Sequence, residues 1–119
     1  TFVVDYEFAI SEVENIENLE LIGSEDIAGT GSAADNLITG NSGKNVLRGL
    51  EGNDTLRGGN GNDEVYGDSG DDSVNGGAGD DTVRGGDGKD VLDCGTGNDG
   101  YNGGLGNDNI SGNCETKVL

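Results

Sequence analysis

Residues 58–84 read GGNGNDEVY GDSGDDSVN GGAGDDTVR when broken into nines, and this register decides the fold. In each line an apolar residue (Val65, Val74, Val83) follows an Asp (Asp63, Asp72, Asp81) by two positions and a Gly (Gly61, Gly70, Gly79) by four. Stepping outward by nine extends the apolar series from Ile38 through Leu47, Leu56, Val65, Val74, Val83, Leu92, Tyr101 and Ile110 to Leu119. All are apolar in a chain that is only 30% hydrophobic, so the period is a property of the fold and not of the composition.

One apolar residue in nine, with polar neighbours on both sides, fits a three-residue strand that shows one side chain to the interior. The Gly-rich remainder turns the chain sharply, because glycine reaches the positive φ values such turns need. Two successive repeats, with two strands and two turns, close one coil. Stacked coils make an all-β parallel β-roll, two short-stranded sheets around a thin apolar seam.

Composition narrows the function. The 119 residues carry 24 acidic and 6 basic side chains, a formal charge of -18, which disfavours nucleic acids and anionic membranes and favours cations. His is absent, so the usual catalytic triads and His-bearing zinc sites are excluded within these residues, and the chain is not read as an enzyme. No apolar run is long enough for membrane insertion. A chain that opens on Thr1 is expected to be processed or part of something longer.

Residues 1–30 differ from the rest. They hold two glycines (Gly23, Gly29), eight acids and three of the five aromatics, and every basic residue lies at Lys44 or later. Phe2, Val4, Tyr6, Phe8 and Ile10 alternate as in a strand with one buried face. Ser11–Glu14 has the form of a capping box, yet Leu19 and Leu21 alternate around Glu20, so strand, turn, strand is the favoured reading. Residues 1–30 are expected to be an N-terminal strand or cap segment and residues 31–119 the roll.

The nonapeptides, most clearly Gly58–Tyr66 (GGNGNDEVY) and Gly76–Arg84 (GGAGDDTVR), resemble the RTX (repeats-in-toxin, hemolysin-type) calcium-binding repeat. Glu14–Thr39 is similar to the lead-in often found before such repeats. The resemblance implies a β-roll whose repeat Asp side chains and backbone carbonyls hold calcium between successive turns. It says little of biological role, because toxins, proteases, lipases, adhesins and surface-layer proteins all carry such rolls.

The residues give calcium their own rationale. Side chains two repeats apart stack on neighbouring coils, about 4.8 Å from one another. One turn column therefore holds Asp54, Asp72, Asp90 and Asp108, and the opposite column Asp63, Asp81 and Asp99. Carboxylates so placed repel unless a cation lies between them. Backbone carbonyls near Gly52, Gly61, Gly70, Gly79, Gly88, Gly97 and Gly106 add neutral oxygens, and an all-oxygen shell suits calcium. Successive pairs give five full sites, and Asn36 with Asp54 and Asn45 with Asp63 would add two weaker ones, seven at most. An Asx turn at each Asp is the simpler alternative, but it leaves seven consecutive Asp unexplained. Lys117 is read as a charge cap that breaks the second column.

Cys94 and Cys114, separated by little more than one coil, fall in turns on the same edge, where a disulfide is expected and two free thiols are the alternative. Both cysteines depart from the usual family pattern, which is poor in them. Outward positions form a column Arg48, Tyr66, Arg84, Asn102, read as a cation–π ladder in preference to a docking strip for a cell-surface or matrix glycan. The opposite face offers Arg57, Asn75, Asp93 and Ser111. The leading expectation is a secreted or cell-surface calcium-binding structural or adhesive protein, self-assembling through the solenoid ends or the N-terminal strand. The alternative is a non-catalytic C-terminal module of a secreted enzyme or toxin that assists export and folding.

Overall fold

The computed structural model describes the strand segments Phe2–Val4 and Phe8–Ala9 and residues 17–118. Among the described residues there is no helix, and parallel strands stack as a β-solenoid of about six turns. One sheet contains, in order, β1 (Phe2–Val4), β3 (Asn18–Leu21), β5 (Leu37–Thr39), β7 (Thr55–Asn60), β9 (Ser73–Ala78), β11 (Val91–Asp93) and β13 (Asn109–Ser111). The other contains β2 (Phe8–Ala9), β4 (Ala28–Thr30), β6 (Val46–Glu51), β8 (Glu64–Ser69), β10 (Thr82–Asp87), β12 (Asp99–Leu105) and β14 (Cys114–Lys117). Odd strands pair with odd and even with even, as one coil per two repeats requires.

The two-repeat step is explicit in the pairing. Leu47 lies opposite Val65 and Val65 opposite Val83, while Leu56 lies opposite Val74 and Val74 opposite Leu92. Ile38, Leu47, Leu56, Val65, Val74, Val83 and Leu92 are all buried, one per strand, and with Leu19, Leu21 and Cys94 they form the core. The seam is thin because each strand contributes one large side chain. Each coil rests on its two neighbours and on little else.

The central strands are longer than the expected three-residue span. In β6–β10 each covers six positions, because the ladder continues through the first glycines of the turn. Missing side chains make that continuation sterically feasible: a Cβ on Gly49 would stand 2.7 Å from the Gly67 carbonyl oxygen of the next coil.

Both sheets continue into the segment before residue 31. β3 and β4 pair with β5 and β6 and carry both sheets into the lead-in. Leu19 stacks on Ile38. Gly29 takes the place of an apolar residue, and leucines fill the space beside it, with Leu19 Cδ2 3.2 Å from where its Cβ would be. The steps here are irregular, from Leu19 to Ile38 and from Phe8 to Gly29, which hides these coils from a search at fixed period. The alternating run to Ile10 appears as two strands, β1 and β2, in opposite sheets. The capping box at Ser11–Glu14 and the last apolar position, Leu119, lie outside the described residues.

At the C-terminal end the interior series weakens. Tyr101 is only partly buried against the core, and Ile110 is 39% exposed because no further described coil covers it. Leu56→Ala is therefore expected to destabilise the calcium-loaded roll by about 2–4 kcal/mol, and Ile110→Ala by about 1 kcal/mol or less. Urea unfolding in saturating calcium measures both, and equal losses would contradict a core that ends at Cys94.

Candidate metal sites

Each coil places a turn at either edge of the sandwich, and the repeat Asp stands where the turn passes into the next strand. Asp54, Asp63, Asp72, Asp81, Asp90 and Asp99 are all buried, none more than 2% exposed, and Asp108 is partly buried. They stack at the two-repeat step. Oδ1 of each accepts a hydrogen bond from the backbone N–H of its counterpart one coil earlier: Asn36 N–H to Asp54 (2.7 Å), Asp54 to Asp72 (2.8 Å), Asp72 to Asp90 (2.9 Å) and Asp90 to Asp108 (3.0 Å). The opposite column runs Asn45 to Asp63, Asp63 to Asp81 and Asp81 to Asp99, each at 2.8 Å.

Oδ2 is different. In Asp54, Asp63, Asp72, Asp81, Asp90 and Asp99 it is buried and has no hydrogen-bond partner. A buried anionic oxygen left so costs more than an exposed one. It borders a space lined by oxygen. Beside Gly58 a Cβ would meet Asp63 Oδ2 at 2.6 Å and the Gly76 carbonyl, and beside Gly76 it would meet Asp81 Oδ2 at 2.8 Å and the Cys94 carbonyl at 2.6 Å. Gly49, Gly67 and Gly85 repeat the arrangement.

The Asp turns also share left-handed backbone positions. The residue four before each Asp has positive φ: Leu50, Gly59, Asp68, Gly77, Gly86, Gly95 and Gly104. So does the Gly two before it, at 52, 61, 70, 79, 88, 97 and 106. The carbonyls of Gly52, Gly61, Gly70, Gly79 and Gly88 face the Cα of the glycine one coil on, where a Cβ would collide with them. Leu50 and Asp68 adopt the left-handed conformation without being glycine, at a cost of about 1–2 kcal/mol each.

Among the described residues no three acidic, His or Cys side chains converge on one point. A cation between two coils would thus draw on at most two carboxylates and fill its shell with carbonyls, a hard-oxygen set suited to calcium.

Asn36 and Asn45 are built otherwise. Their Oδ1 atoms accept the N–H four residues back, Ser32 at 2.7 Å and Asn41 at 2.9 Å. Their Nδ2 atoms donate to the preceding coil, at Glu17 O (3.3 Å) and Ile27 O (2.9 Å). Ser32 and Asn41 lack the positive φ of the later turns. These two turns are closed by the protein itself, which distinguishes them from the seven Asp turns.

A second column went unread in the sequence. The residue before each repeat Asp or Asn up to Asp99 also bonds across coils, in the reverse sense. Asp35 Oδ1 accepts from Asn53 N–H (2.7 Å), Asn53 from Asp71 (2.9 Å) and Asp71 from Lys89 (2.9 Å). On the other edge Asp26 accepts from Lys44, Asn62 from Asp80 and Asp80 from Asn98. The signal was the run of Asx at this position, interrupted where Lys44 and Lys89 offer no acceptor.

Cys94 and Cys114 form a disulfide, with Cα atoms 5.2 Å apart. The last coil is shorter than two full repeats: Asp99 pairs with Cys114, and after a register shift Tyr101 pairs with Lys117. Lys117 therefore does not stand on Asp99, as the constant period implied. On the outer face Arg48 and Arg84 stack on Tyr66, at 4.6 and 5.4 Å from the ring centre. Arg48 also meets Asp68 at 3.4 Å, and the Tyr66 hydroxyl donates to Glu64. Within this group, Arg84 Nε and Asp68 Oδ2 are buried without a hydrogen-bond partner.

Burial raises the carboxyls of Asp54, Asp63 and Asp81 to about 6 and Asp72 to about 7, and it raises Asp90 as well. The hydrogen bonds to Oδ1 offset part of this, and stacked neighbours add to it, Asp54 and Asp90 acting on Asp72. Between about pH 4 and 7 the metal-free roll thus binds more protons than the unfolded chain, and its stability falls as pH rises. The penalty is complete above about pH 7 and absent below about pH 4. Far-UV circular dichroism in chelator should show more β structure at pH 4 than at pH 7.5, and the reverse order would contradict the buried columns.

A family model for the RTX calcium-binding nonapeptide repeat (4 copies) matches residues 30–65, 39–74 and 66–101. No curated protein and no solved structure gave a match.

Proposed function

Since the chain belongs to the family of RTX calcium-binding nonapeptide repeats, a calcium-binding structural fold, we propose that it is an extracellular module that folds as calcium loads its turns. The observation that carries this is the row of buried Asp Oδ2 atoms without partners. We assign the ligands as Asp54, Asp72, Asp90 and Asp108 in one column and Asp63, Asp81 and Asp99 in the other, with turn carbonyls completing each shell. Five intervals follow: 54/72, 72/90, 90/108, 63/81 and 81/99. The turns of Asn36 and Asn45 fall outside the row, because their side-chain groups already have partners.

Calcium supplies the positive charge that lets stacked carboxylates share a dry column. The chain's own residues do the rest: Oδ1 fixes each carboxylate to the previous coil, and the left-handed residues shape the turns. Binding free energy then becomes folding free energy. Extracellular calcium modules work near 10⁻⁴ to 10⁻³ M, roughly, which would keep the chain unfolded inside a cell and fold it outside. The role is structural or adhesive and not catalytic, and the Arg48–Tyr66–Arg84 ladder is a brace between coils and not a glycan site. Residues 1–30 form the N-terminal strand segment that leads into and caps the regular repeats. As a module of a secreted enzyme or toxin, the roll would work by the same chemistry.

Self-association through the ends is part of this reading. β13 is exposed along its length, and Ile110 and Leu105 (74% exposed) leave apolar surface at that end. Light scattering of this chain in calcium should rise with concentration, and monomers persisting at high concentration would remove this element.

Millimolar calcium should convert a largely disordered spectrum at pH 7.5 into a β spectrum, and a spectrum indifferent to chelator would overturn the function. Asp81→Asn touches two intervals and Asp108→Asn one, so the calcium midpoint should move further for Asp81→Asn. Equal midpoints would contradict the column assignment.

A further inference from the structure

The Cys94–Cys114 disulfide stands where the second column would place its next calcium. Cys94 lies five residues before Asp99, the position that Gly49, Gly58, Gly67, Gly76, Gly85 and Gly103 hold before their own Asp. At those glycines a Cβ would intrude on the oxygen-lined space beside Oδ2. Cys94 brings a side chain to that position, fully buried and part of the core. The residue stacked on Asp99 is Cys114, where an unbroken period would have stacked residue 117. Both departures from the repeat, the missing Gly and the shortened coil, are thus tied by one covalent bond.

We propose that this disulfide substitutes for a calcium bridge: it ends the second column at Asp99, holds the last coil in place, and makes the 81/99 site sensitive to redox state. Asp99 lies between two closures of different kind. On one side its Oδ1 accepts the Asp81 N–H at 2.8 Å, and on the other it pairs with Cys114. A dithiol reductant breaks the sulfur–sulfur bond, passing two electrons and two protons to Cys94 and Cys114 while its own sulfurs close into a disulfide. The last coil then keeps its strand hydrogen bonds and the Asp90–Asp108 link of the first column, but the Asp99 turn loses the constraint that orders it for calcium. The 63/81 interval and the first column keep their own stacked carboxylates.

This inference rests on the calcium reading above, and equilibrium dialysis of the full chain against calcium separates the two. The oxidised chain should bind five ions. After reduction, and equally in the Cys94→Ser/Cys114→Ser variant, one ion should weaken by about tenfold or more while four remain. Asp99→Asn should remove that ion from the oxidised chain and change little in the reduced one. Isotherms unaffected by reduction would overturn the proposal, as would a weakening spread evenly over all ions. No binding in either redox state would instead overturn the calcium reading itself.

Discussion

Carboxylates stacked one coil apart, out of water, are the constraint on which this structure turns. A roll with one apolar side chain per strand has little core to order it, so stability has to come from the turns. There the chain stacks like charges. Every later feature bears on that conflict: the hydrogen bond that fixes Oδ1, the Oδ2 left without a partner, and the raised titration of Asp72 between Asp54 and Asp90. Left metal-free at neutral pH, the columns oppose the fold. On the function proposed above, a cation between successive turns would let the same columns hold it together, and a destabilising sequence would become a conditional one.

The sequence made the middle of the roll legible and its ends less so, for a physical reason. A strict period exists where each coil must match both neighbours, so Leu47 to Leu92 and Asp54 to Asp99 could be read by counting. The first coils are free to vary, and their uneven steps, Leu19 to Ile38 and Phe8 to Gly29, conceal β3 and β4 from a nine-residue register. The last coil is shortened beside the disulfide, so counting put Lys117 where the structure puts Cys114. Conformation was hidden too. Asn36 and Asn45 occupy the repeat position, yet only the backbone shows that their turns lack the left-handed residue of the later ones.

The second ladder explains how the turns tolerate their charge. Asp35, Asn53 and Asp71 point the opposite way along the stack from the buried Asp of the same turns, each accepting from the following coil. Adjacent residues therefore bind the coil above and the coil below. Asn serves this outer column as well as Asp, because only the acceptor matters there. In the inner column from residue 54 through 108 every repeat position is Asp. A neutral amide there would satisfy the backbone but carry no charge to a cation. The difference between the two columns is what separates turn-forming Asx from the proposed ligands.

Stacked turns impose one further condition. A cation that bridges coils needs a carboxylate turn on each side, so a row of turns yields one site fewer than its members. The end turns have a partner on one side alone. Some other interaction must hold the coil beyond them, and it has to work without metal. At the N-terminal side that interaction is the amide of Asn36 or Asn45, donating to Glu17 or Ile27. At the C-terminal side of the second column it is the covalent link from Cys94 to Cys114. On the readings proposed above, hydrogen bond, ion and disulfide would meet the same requirement at different places along one stack. Which of them a coil uses follows from whether it has a charged neighbour on both sides.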